Sequence, residues 1–247
     1  MFCLTSNAIK LLAVLFMTVD HIGFFFDILP FRYIGRLAFP LFAYAIAEGC
    51  RYTKNKRHHF SLMFGLGMIC QIVYYITDST SIYLNIFLTF SLSTLLIYLL
   101  QYAKECSFAK EKKPFEILIA WICFGCSVLA VKVLTDTLKF DYGFFGVLLP
   151  VFVALPDTYR LNAPKWLEKI DTKWAKMLTL SAGMVFLALQ VMQTDATMGN
   201  IQWYAFFALV PLVFYNEKPG KLRLKYFFYL YYPLHMVLLQ GIYWLLY

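Results

Sequence analysis

Nine stretches of mostly apolar residues, each near the length a bilayer requires, follow one another with little between them. A helix needs roughly 20 predominantly apolar residues to cross the hydrocarbon core. The stretches run at 10–29, 33–50, 60–76, 82–102, 115–134, 140–155, 176–193, 201–215 and 226–246. The sixth and eighth are short, which predicts tilt or a partly re-entrant path. Only 15% of the residues are charged and 61% are hydrophobic, where a soluble domain carries about a quarter charged residues. In lipid every backbone polar group must be bonded internally, so such segments are helices. The expectation is an all-α polytopic membrane protein: a single domain over 1–247, with about nine transmembrane helices in one bundle. Neither a cleavable signal peptide nor an internal repeat is evident.

The net charge is +8, and its distribution explains it without nucleic acid. Lys10 precedes the first span's apolar run. Arg51, Lys54, Lys56 and Arg57 follow the second span, and Lys104, Lys110, Lys112 and Lys113 follow the fourth. Arg160, Lys165, Lys169, Lys173 and Lys176 follow the sixth, and Lys218, Lys221, Arg223 and Lys225 follow the eighth. Together these are 18 of the 22 basic residues; the alternate loops hold Arg32, Arg36, Lys132 and Lys139. The positive-inside rule then puts the N-terminus and the basic loops in the cytoplasm, in contact with anionic lipid. The expected location is the inner cell membrane, with the C-terminus outside. Six cysteines are scattered. Cys123 and Cys126 form one C-x-x-C pair, too little for a zinc site, and read as small core residues; no metal is implied.

Ionisable groups inside a span are costly and point to function. The first two spans concentrate them: Lys10, Asp20, His21, Asp27, Arg32, Arg36 and Glu48. Lys10 and His21 are eleven residues apart, three turns to within about 20°, and so share a face about 16 Å apart along the axis. Asp20 points about 100° away from His21 and does not orient the imidazole within the helix. Arg32 and Arg36 share a face and are natural partners for Asp20 or Asp27 across a hairpin turning at Pro30, since an unpaired buried charge is strongly unfavourable. Further polar spots are Tyr232 and His235 beside Pro233, Asp141 at the start of the sixth span as an N-cap, and Asn85, Thr89, Ser91 and Ser93 in the fourth, where bonds between helices are the usual role.

The segments LLAVLFMTVDHIG (11–23), RYIGRLAFPLFAYAIAEG (32–49), NIFLTFSL (85–92), DYGFFGVLLP (141–150) and FYLYYPLH (228–235) resemble the TraX family, whose namesake acetylates the N-terminus of conjugative pilin. The first also resembles the broader integral-membrane acyltransferases, which place a basic residue before a first-span histidine, here Lys10 and His21. They also carry an Arg-x-x-x-Pro-Leu-Phe pattern, here Arg36 to Phe42. The resemblance implies acyl transfer from cytoplasmic acyl-CoA, acetyl-CoA above all, as a co-substrate. His21, with Asp20 and Arg36, is expected to be catalytic. Lys10, Arg32, Glu48, Asn85, Asp141, Tyr232 and His235 are expected to bind donor or acceptor. At the basic position this chain has Lys where others have Arg, which loses bidentate phosphate recognition.

A histidine held away from water stays neutral and is available as a base. The donor's anionic nucleotide suits the basic cytoplasmic face, with its narrow arm running along the Lys10 face. The acceptor stays open between a pilin-like peptide amine, a glycan and a lipid head group. Two other classes compete: a proton-coupled transporter using the same charges, and a scaffold for a membrane complex.

Overall fold

The computed structural model describes residues 3–77, 83–220 and 224–246. These residues are predominantly helical: α1 (Ser6–Phe25), α2 (Leu29–Gly35), α3 (Ala38–Tyr52), α4 (Lys56–Thr77), α5 (Ile86–Phe108), α6 (Pro114–Thr137), α7 (Gly143–Ala154), α8 (Lys165–Glu168), α9 (Lys173–Thr194), α10 (Ala196–Gln202), a 3-10 stretch (Trp203–Ala208), α11 (Leu209–Val213) and α12 (Lys225–Leu246). Two short strands, β1 (Tyr83–Leu84) and β2 (Lys139–Phe140), pair in parallel. Among the described residues, α1, α5, α6 and α9 are long and apolar enough to cross a membrane. The chain is a helical membrane protein. Packing gathers it into two compact units, Met1–Ala45 with Met184–Tyr247, and Ile46–Gly183.

In the first unit, Thr5 caps α1 by accepting from the Ala8 N–H. The chain turns at Asp27, in the left-handed region at φ 51°, which Asp tolerates better than most residues. Pro30 sits in the first turn of α2, where its missing N–H removes no helical bond. The resulting α1–α2 hairpin is tight. A Cβ on Gly23 would lie 2.8 Å from that of Phe31, and one on Gly35 only 2.2 Å from that of Asp20. Helix α12 packs along α1 in the same direction: Lys10 meets Phe228, Thr18 meets Tyr231, His21 meets His235 and Phe25 meets Tyr243.

In the second unit α5 is the central helix, flanked by α4, α6 and α7. Leu96, Ile97 and Leu100 of α5 and Val147 and Leu149 of α7 are fully or almost fully buried. The buried hydroxyls of α5 are bonded: Thr89 donates to the Asp141 carbonyl, Ser93 to the Val147 carbonyl, and Ser91 to the Phe87 carbonyl one turn back, while Thr94 accepts from the Cys50 thiol.

Several span expectations are corrected. The second stretch is two helices, α2 and α3, broken at Arg36–Leu37. Pro40 is the cause: it offers no N–H to the Arg36 carbonyl, and its ring crowds that same oxygen. The sixth shortens to the 12 residues of α7, because Lys139–Phe140 is strand and Tyr142 takes φ 61°. Tyr142, not Asp141, is therefore the N-cap. The eighth is a 3-10 stretch followed by α11; Pro211 has no N–H to give, and the Leu209 N–H reaches the Phe206 and Phe207 carbonyls. Cys123 and Cys126, expected in the core, are exposed on α6. That helix is apolar all round, so its pattern marks no inner face.

Candidate active site

The first unit brings together residues from α1, α2 and α12. Asp20 lies deep in α1 and faces the α2 side of the hairpin. Arg32 Nη1 donates to its Oδ2 at 2.8 Å and also reaches the Asp20 backbone carbonyl at 3.2 Å. Arg36 Nη2 is 3.4 Å from the other carboxylate oxygen. All three side chains are at least four-fifths buried. One carboxylate thus faces two guanidiniums. The hairpin pairing read from the sequence is present, with Asp20 as the shared partner. The contact depends on Gly35, whose bare Cα lets the backbones of α1 and α2 approach beside Asp20.

His21 turns the other way, toward α12. Its Nδ1 is 2.9 Å from Nε2 of His235, and the His235 Nδ1 is 2.9 Å from the Tyr231 carbonyl. His235 is buried and stacks on the Tyr231 ring, with centroids 5.2 Å apart and planes 10° apart. Tyr232, also buried, meets both imidazoles edge-on. Thr18 fixes the seam one turn earlier: it bonds the Val14 carbonyl at 2.8 Å and the Tyr231 hydroxyl at 2.8 Å. A carbonyl only accepts, so Thr18 spends its hydrogen on Val14 and accepts from Tyr231. Toward the start of α1, Lys10 Nζ lies 5.9 Å from the centroid of the Phe228 ring, in cation–π range.

The remaining expected site residues belong to the second unit and have other partners. Glu48 accepts from Lys176 at 2.7 Å, a pair almost wholly buried. Asn85 caps α5 through the Phe87 N–H and ties α5 to α4 by donating to Gly67 and Gln71. Asp141 uses its backbone, donating to Leu84 and accepting from Thr89.

A second polar cluster was not foreseen. Arg51 Nη1 bonds Asp157 at 2.5 Å and both oxygens of Asp171 at 2.7 Å. Lys104 caps the end of α7, donating to the carbonyls of Ala154, Leu155 and Asp157. Only acidic residues in an otherwise basic loop hinted at it. Thr18 was likewise missed, although it lies within a turn of His21, and Tyr231 was read only as part of a tyrosine-rich patch beside His235.

A family model described as "TraX protein" matches residues 5–243. The chain is 24% identical over 251 positions to a "Probable fimbrial assembly protein FimC, serogroup H1" of Dichelobacter nodosus, covering 94% of this chain and 92% of the relative. No solved structure matches.

Proposed function

From the chain's membership of the TraX family, which is established by a match over almost its whole length, we propose that it is an acetyl-CoA-dependent acyltransferase of the inner membrane. It acts on an amine acceptor of pilin type. The observation that carries the reading is His21: an imidazole inside an apolar helix, hydrogen-bonded to a second imidazole and beside a carboxylate that holds two guanidiniums. The relative named for fimbrial assembly supports a pilin-like acceptor.

In this mechanism the acceptor nitrogen attacks the thioester carbonyl. The C–S bond breaks, and the proton lost by the amine passes to His21 and then to the departing thiolate, giving CoA–SH. General base catalysis contributes about 10²–10⁴ in rate. Arg36 and Arg32 supply positive charge where the oxyanion develops, worth most in a dry site. Asp20 acts through them as a positioning residue. The donor's arm runs along the Lys10 face of α1 toward His21. The nine-span arrangement, with the N-terminus inside, belongs to this proposal. The parallel packing of α1 and α12 supports it, because two parallel spans imply an odd number of crossings from one to the other inclusive.

Purified protein in lipid nanodiscs, given labelled acetyl-CoA with a pilin N-terminal peptide or with membrane extract, tests the proposal. A peptide gaining one acetyl mass is expected, with loss of at least a hundredfold in rate on His21→Ala. A label found on glycan or lipid would change the acceptor class. A folded His21→Ala protein transferring at the wild-type rate would end the mechanism.

A further inference from the structure

We propose that His235 is a positioning residue that locks His21 in the tautomer whose Nε2 can take a proton. The Tyr231 carbonyl accepts hydrogen bonds and cannot donate. His235 Nδ1, 2.9 Å from it, therefore carries a hydrogen. A neutral imidazole carries one hydrogen, so the His235 Nε2 is an acceptor. His21 Nδ1 sits 2.9 Å from that nitrogen and must donate to it; the other tautomer would set two lone pairs against each other at that distance. His21 then bears its hydrogen on Nδ1, and its Nε2 lone pair is the one available as a base. The hydrogen bond made by one ring nitrogen sets the chemistry of the other.

The neighbours of His235 hold it for this task. Its ring is buried, stacked on Tyr231 and met edge-on by Tyr232. Tyr231 is in turn fixed by its hydroxyl to Thr18 on α1. The arrangement also separates positioning from proton conduction. A proton wire from His21 through His235 would run into a backbone carbonyl, which cannot take up a proton and pass it on. The pair suits a fixed base.

What the fixed ring accomplishes rests on the acyl-transfer reading; the tautomer does not. The protein has four histidines, so nitrogen NMR of the ¹⁵N-histidine-labelled whole protein in nanodiscs can assign the His21 ring by variants. Wild type is expected to show His21 protonated at Nδ1. In His235→Leu the ring should move toward the Nε2–H form. kcat should fall at least about a hundredfold while KM for acetyl-CoA stays within about threefold; a wrong histidine tautomer costs about 10⁴ in a serine protease. His235→Gln, whose side-chain oxygen can accept from His21, should keep the Nδ1–H form and stay within about tenfold of wild-type kcat.

A wild-type His21 protonated at Nε2, or a His235→Leu protein with unchanged tautomer and kcat, overturns the inference. If wild type transfers no acetyl group, the acyl-transfer reading falls and the NMR result alone decides on His235. If His235→Leu fails to insert, the wild-type and His235→Gln spectra decide: Nδ1–H in both upholds the inference, and Nε2–H in either overturns it.

Discussion

Gly35 has room for a hydrogen and little else. A methyl group there would stand 2.2 Å from Asp20 Cβ, 2.3 Å from its Oδ1 and 2.6 Å from its Cα. The Cα cannot swing aside as a side-chain tip can, so the α1–α2 hairpin must open. Gly35→Ala should cost about 1–3 kcal/mol, the usual range for overpacking a tight contact, and should pull Asp20 away from Arg32 and Arg36. Gly65 in α4 is the control, with nothing within 4 Å of its would-be Cβ; Gly65→Ala should be neutral or stabilise by up to about 1 kcal/mol through helix propensity. Thermal unfolding in detergent compares the two, and acetyl transfer should fall only in Gly35→Ala. Equal stability in the pair would refute the close approach. Much at this scale was legible, because Asp20, Arg32 and Arg36 lie within one local hairpin. The partnership of His21 with His235, 214 positions away, was not, since a single sequence carries no record of which distant helices meet.

At the scale of elements, Arg51 at the end of α3 holds both ends of the loop between α7 and α9. Asp157 and Asp171 converge on the same Nη1. The two carboxyls are perturbed in opposite directions. Burial raises Asp157 above the usual carboxylate range, outweighing the Arg51 charge. For Asp171 burial pushes up as well, but the Arg51 hydrogen bond and the Thr158 N–H outweigh it and hold the carboxyl below its ordinary value. The signs follow from linkage. Asp171 contributes stability that is present above about pH 4 and is lost as pH falls through its lowered value. Asp157 opposes folding once pH climbs past the ordinary carboxylate range and through its raised value. At neutral pH Asp171→Asn should therefore destabilise, while Asp157→Asn, which keeps an oxygen for the Tyr159 N–H, should be neutral or stabilising. The difference should shrink as pH falls below about 4 and vanish once pH is below the lowered value of Asp171. Arg51→Gln, which takes the shared guanidinium from both acids, should cost about 3 kcal/mol and speed tryptic cutting at Arg160, Lys165 and Lys169. Denaturant unfolding and timed proteolysis read these outcomes, and Asp157→Asn proving the more damaging would reverse the assignment. The clamp was hidden in the sequence because its acids sit among basic residues that topology alone explains. The break at Arg36–Leu37 went unread, although the missing N–H of Pro40 signalled it; the exposed face of α6 carried no signal, because lipid and protein interior are equally apolar.

For the whole molecule the open quantity is the number of crossings, and parity constrains it. Helices α1 and α12 run side by side in the same direction, so if both cross, the total is odd and the two termini lie on opposite sides. The doubtful segments are α7, whose 12 residues span only about 18 Å against about 30 Å of hydrocarbon, and 201–215, partly wound as 3-10 helix. Should both turn back, the count drops by two and parity survives. Should α7 turn back, alone or with 201–215, the loop bearing Arg160, Lys165 and Lys169 would move outside, against the positive-inside rule. Reporter fusions separate these cases. Alkaline phosphatase fused at the C-terminus should be active and a fluorescent protein there dark, while the same reporters inserted after Asn162 should give the reverse. A bright fluorescent C-terminus would mean an even count, incompatible with parallel α1 and α12 both spanning. Active phosphatase after Asn162 would make α7 re-entrant and remove the nine-span topology, leaving the α1–α12 seam and its two histidines intact.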